Sequence, residues 1–271
     1  MTMFDEATTA VRTEAGRYRA ELSPKYRIGD ALNGGYLMAV LLSAARQETE
    51  HPHPVSTAAH FLRVATPGPA EIAVTTLKSG RTVTVLRAEL LRDGQVTTTV
   101  QAVFAALDPD AKPEHAPAAP ELPPIDGCVR LDPRASRHPS DSFVYNIELR
   151  FSPDSVRALT EGADHPELRG YVNLPDPRPN DGLMLALAVD ALPPVVSTVL
   201  PLAWAPTVEL TWQMRNVPAD GPLGFTATAR QIGDGWFDEN VELWDPAGRL
   251  VAQSRQLARV GRPPAPVETR M

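Results

Sequence analysis

The stretch Asn33-Gly34-Gly35-Tyr36-Leu37-Met38-Ala39-Val40-Leu41-Leu42 decides how the chain is read. A polar residue and a glycine pair open a segment rich in Leu, Ala and Met, with no β-branched run, which predicts a helix from Gly35 to about Gln47, closed by Pro52 and Pro54. It is too apolar all round to lie on a surface, so other elements must wrap it. A second stretch has the same layout: Asn180-Asp181-Gly182-Leu183-Met184-Leu185-Ala186-Leu187-Ala188-Val189-Asp190, predicted helical to about Leu192 and stopped by Pro193-Pro194. Nine residues on from Asn33 stands Leu42, and nine on from Asp181 stands Asp190, so the copies differ by one carboxylate.

Each predicted helix is followed by four strand-like segments rich in Val and Thr. In the first half these are Ser56–Val64, Ala70–Lys78, Thr82–Leu91 and Gln95–Ala105, with Asp93-Gly94 as a tight hairpin. In the second they are Thr207–Arg215, Gly224–Ile232, Trp236–Trp244 and Leu250–Val260. Arg17–Tyr26 alternates as an edge strand, Asp141–Arg150 alternates too, and Ser152–Glu161 reads as a short helix capped by Ser152. Between the halves, Pro109, Pro113, Pro117, Pro120, Pro123 and Pro124 exclude regular structure and mark a linker. The predicted organisation is a first unit over 1–107, a Pro-rich linker over 108–134, a second unit over 135–262 and a tail over 263–271. Repetition of order and spacing makes this an α+β unit built twice and paired with itself.

With 271 residues the chain can bury a large core, and its formal charge of -7 without Lys/Arg clusters excludes a nucleic-acid partner. Cys128 is the single cysteine, so neither a disulfide framework nor a thiolate zinc site is expected. The start lacks a basic, apolar leader and no run is long enough to span a membrane, so the expectation is a soluble cytoplasmic protein.

The order and spacing of Asn33-Gly34-Gly35-Tyr36, Phe61-Leu62-Arg63 with Pro67-Gly68, Gly182 to Asp190, Pro206-Thr207-Val208-Glu209 and Gly248 to Gln256 resemble the double hotdog acyl-CoA thioesterases of the acyl-CoA thioesterase II type. That resemblance implies a tandem (double) hotdog, with two long central helices wrapped by a continuous curved antiparallel β-sheet. It implies an acyl-CoA substrate, no separate cofactor and no metal, and it is compatible with a homodimer. It also implies catalytic Asp190, Thr207 and Gln256, which together hold a water, and Gly34 and Gly35 amides opposite Asp190 at the substrate carbonyl. Asn33 stands where the family carries histidine, so no imidazole role transfers.

Taken alone, Thr207 and Gln256 are ordinary strand residues, and their case rests on the match. Asp190, in a run of Leu, Ala and Val, is costly to bury without a purpose or a partner, although a polar residue before Pro193 can also end a helix. Glu209 is expected on the same strand face as Thr207. His60 is read as structural, the tryptophans as core or interface residues, and Asp234 and Asp238 as solvated turn acids. Two other functions remain open. One is a non-hydrolytic acyl-CoA or acyl-carrier binder. The other, ranked low, is a hotdog dehydratase or hydratase, because His60 is followed four residues later by Val64, not Gly, and Asp190 by Pro194.

Overall fold

The computed structural model describes residues 1–134, 142–201 and 204–261. The first half contains α1 (Met3–Ala7), β1 (Val11–Glu14), β2 (Arg17–Leu22), β3 (Arg27–Ile28), β4 (Ala31–Leu32), α2 (Gly34–Ala45), β5 (His53–Phe61), β6 (Gly68–Ser79), β7 (Thr84–Arg92) and β8 (Gln95–Ala105). The second contains β9 (Val129–Arg130), β10 (Glu148–Phe151), α3 (Pro153–Glu161), β11 (Glu167–Asn173), α4 (Gly182–Ala188), β12 (Thr207–Met214), β13 (Leu223–Thr228), β14 (Ile232–Gly233), β15 (Trp236–Trp244) and β16 (Leu250–Arg259).

α2 begins where Asn33 caps it, accepting the Tyr36 amide on Oδ1 at 2.9 Å. From Tyr36 to Leu42 every side chain is buried. That burial is supplied by a 14-stranded antiparallel sheet whose central order is β2-β6-β7-β8-β5-β12-β16-β15-β13-β11. The halves meet edge to edge at β5 and β12, with Ala59 opposite Leu210 and Thr57 opposite Trp212. Joining the strands there removes two sheet edges and places α2 against α4 inside the curve. The repeated α+β unit is therefore observed, arranged as the double hotdog that the resemblance implies.

Several boundaries differ from the sequence reading, each for a local reason. α4 stops at Ala188 with Val189 as its cap residue, short of Leu192. Asp190 therefore lies in the turn after the helix, its amide bonded to the Leu187 carbonyl at 3.2 Å. The strand expected over 141–150 is confined to Glu148–Phe151, because Asn146 donates to the carbonyls of Lys25 and Ser142 and holds a turn before it; Asp141 lies outside the described residues. β11 carries no signal that the sequence reading caught, since Gly170 interrupts its apolar alternation. A Cβ at Gly170 would stand 1.9 Å from the Arg150 carbonyl oxygen, so the approach of β10 requires the glycine.

The hairpin at Asp93-Gly94 forms with both residues at positive φ, 50° and 73°, the backbone that a two-residue turn between twisted strands requires. Asp234-Gly235 repeats it before β15. The proline-rich stretch runs along the second half, where Arg249 donates to the Pro109 carbonyl and Tyr171 to that of Pro123. The expected start of the second unit at 135 and the tail from 263 lie outside the described residues.

Candidate active site

The glycine pair has a steric reason to be there. A Cβ on Gly35 would sit 2.7 and 2.8 Å from the carbonyl oxygens of Ala186 and Leu187, and one on Gly34 would meet the Phe61 ring at 2.7 Å and Asp190 Oδ2 at 3.0 Å. Only glycine lets the start of α2 lie against the end of α4.

This close approach puts helix N-terminal amides against a carboxylate. The Gly35 amide donates to Asp190 Oδ2 at 2.7 Å. Asn33 Nδ2 donates to the same oxygen at 3.1 Å and to the Asp190 carbonyl at 2.8 Å. Asn33 is thus both helix cap and anchor of the acid, two roles suited to an amide with separate donor and acceptor atoms. Burial pushes the Asp190 carboxyl up to about 6, while the Gly35, Asn33 and Gly34 donors pull against it. Its residue keeps a partial opening to solvent, unlike the apolar helix behind it.

Thr207 and Gln256 come together through the sheet. A bulge between Thr207 and Glu209 shifts the strand phase, so that Thr207 pairs with fully buried Ala258 while Val208 is left exposed. The expectation that Thr207 and Glu209 share a face is thereby corrected: Glu209 pairs with exposed Leu257 and accepts a hydrogen bond from Thr211. Thr207 Oγ1 donates to Gln256 Oε1 at 2.6 Å. No direct hydrogen bond links this pair to Asp190 among the described residues.

Glu239 extends this pair with a second buried acid that feels the charge of Asp190, and the sequence reading missed it. It stands opposite Gln256 in the β15–β16 register and is 2% exposed. Its Oε1 accepts from Gln256 Nε2 at 2.8 Å and its Oε2 from the Val195 amide at 2.5 Å. Burial raises its carboxyl to about 7, and the nearby Asp190 charge adds to the rise. The available signal was phase: Glu239 falls in the alternation of Phe237, Val241 and Leu243, all buried.

Other acids and bases fall elsewhere. Asp238, expected to be solvated, is buried and accepts the amides of Arg230 and Gln231, while Asp234 is exposed as expected. His60 is exposed, Trp212 and Trp244 are core residues, Trp236 stacks under Arg259, and Trp204 is exposed. The pseudo-symmetric location has no equivalent acid. Leu42 is fully buried, Gly182 lies against Pro54, and Asp181 is engaged as the cap of α4 and as an ion-pair partner of Arg178.

The family model for the acyl-CoA thioesterase N-terminal domain matches residues 22–105, and that for the acyl-CoA thioesterase C-terminal domain matches residues 113–260. The chain belongs to the double hotdog acyl-CoA thioesterase family. A crystal structure of a candidate thioesterase II from Thermobifida fusca is 50% identical, with a TM-score of 0.91 over 97% of this chain and 98% of that one. An uncharacterized protein of Mycobacterium tuberculosis is 30% identical over 272 residues, 90% of each chain. An acyl-CoA thioesterase II of Mycobacterium marinum, 19% identical, shares the fold with a TM-score of 0.72 over 97% and 99% of the two chains. Solved dehydratase domains take the same fold. Among the described residues no helix is long and apolar enough to cross a membrane, and no cluster of His, Cys, Asp or Glu is suited to a metal ion.

Proposed function

We propose that the protein hydrolyses acyl-CoA thioesters to a free acid and CoA at the Asp190 site. The observation that carries the reading is the carboxylate of Asp190 held by the N-terminal amide of Gly35 and by Asn33, in a pocket of apolar helix. A carboxyl raised to about 6 is ionised at neutral pH and basic enough to take a proton from water. Asp190 accepts one water proton as the water oxygen adds to the thioester carbonyl carbon. Negative charge then develops on the carbonyl oxygen, opposite the Gly34 amide and the positive end of α2. Gly35 serves the same end indirectly, by fixing Asp190. Collapse of the adduct breaks the C–S bond, and the proton held by Asp190 leaves with the CoA sulfur as the thiol. Thr207 and Gln256 orient the water. A cytoplasmic setting belongs to this reading.

A non-hydrolytic acyl-CoA binder is the second reading, favoured by the engagement of the Gly35 and Gly34 amides with Asp190, which competes with their use at a substrate carbonyl. A dehydratase reading has no such support: His60 is exposed. Incubation with acyl-CoAs of graded chain length and a thiol reagent separates the first two. Thiol release above blank is expected; measurable binding with no release refutes hydrolysis.

A further inference from the structure

The canonical water-holding set accounts for Asp190, Thr207 and Gln256, but not for a second buried carboxylate bonded to one of them. An ionised carboxylate only accepts hydrogen bonds, so Glu239 obliges Gln256 to turn its NH2 group inward and present its oxygen to Thr207. The single hydroxyl proton of Thr207 is consumed by that oxygen. Toward the site, Thr207 then offers lone pairs alone. A water between Thr207 and Asp190 must donate both its protons to them, which leaves its own lone pair free for attack.

We infer that Glu239 is a positioning residue of this site: acting through Gln256, it sets the hydrogen-bond polarity of Thr207 so that the attacking water is oriented as nucleophile. The inference rests on the hydrolase reading above, but its geometry is independent of turnover. Asp190 is the titratable group that faces Glu239. The groups hydrogen-bonded to Glu239, the Gln256 amide on β16 and the Val195 amide, are neutral. Protonation of Glu239 would reverse the relay, letting Gln256 flip and Thr207 donate outward.

The test uses the full chain. Glu239→Gln replaces an obligate acceptor by a group that permits either Gln256 orientation. Expected are a fall in kcat of about tenfold or more with KM nearly unchanged, and loss of the acid limb that Glu239 protonation imposes near pH 7, leaving only the limb of Asp190 near 6. Because Glu239 acts through Gln256, the double variant with Gln256→Ala should be no slower than Gln256→Ala alone. A kcat within about twofold of the parent, or losses that multiply in the double variant, overturns the inference.

Side-chain NMR of the 15N-labelled parent protein gives a readout that needs neither turnover nor a stable variant. The Gln256 amide resonances should shift as Glu239 titrates near pH 7. A Gln256 amide indifferent to pH overturns the inference. Failure to release CoA would instead refute the hydrolase reading.

Discussion

The amide of Gly35, in the first half of the chain, donates to Asp190 Oδ2 in the second at 2.7 Å. This bond crosses the seam between the repeats, and it exists because neither Gly34 nor Gly35 carries a Cβ. At Gly35 the obstacle would be backbone, the carbonyls of Ala186 and Leu187; at Gly34 it would be chiefly the Phe61 ring, which can turn aside. Gly35→Ala should therefore cost about 1–3 kcal/mol by overpacking, and Gly34→Ala clearly less. Thermal unfolding of the two variants checks the order; equal losses would contradict the packing argument.

Asp190 is the proposed base, so Asp190→Asn should lower kcat by roughly 10²–10⁴ while leaving substrate binding near its parent value. In the parent, the ionised form is the active one, so kcat, already reduced as Glu239 takes up its proton near 7, should fall further as pH drops through about 6. An Asn variant that folds and still hydrolyses at the parent rate would move the site away from Asp190.

Asn33 both caps α2 and donates to Asp190. Asn33→Ala should lose about 1–2 kcal/mol of stability from the cap. It should also move the acid limb of kcat to higher pH, because a donor that favours the ionised carboxylate is gone. Asn33→Asp keeps the cap but sets a second carboxylate beside Asp190, so its limb should move further in the same direction. Paired denaturation curves and pH profiles distinguish the two effects.

Glu239 makes stability depend on pH. Its carboxyl titrates at about 7 in the folded chain, against an ordinary 4.5 when unfolded. The folded state holds the proton more tightly, so this contribution is complete below 4.5 and is lost as pH rises through 7. Glu239→Gln does not titrate. Relative to the parent it should gain stability between those limits, by on the order of 3 kcal/mol, and the difference should be flat above and below them. Urea unfolding at pH 4 to 9 measures it; a difference that shrinks with rising pH has the wrong sign.

The repeat, the buried helices, the β5–β8 run and the asymmetry between Leu42 and Asp190 were all legible in the sequence. They depend on short-range patterns: apolar character around each helix, turn residues between strands, and a polar residue with glycine before each helix. Three parts of the site were not legible, because each depends on contacts between residues far apart in the chain. Whether α4 continues to Leu192 or ends before Asp190 is settled by how α2 packs against its last turn. Thr207 turns inward only because of a bulge against β16, which one strand's sequence does not reveal. Glu239 becomes a buried carboxylate only once Gln256 and the Val195 amide are folded onto it. The sequence by itself determined that there would be two apolar helices of matched layout, and that an acid would accompany one of them only. Tertiary structure decided which groups hold that acid, since a hydrogen-bond network is defined by which strands and helix ends come within about 3 Å of one another.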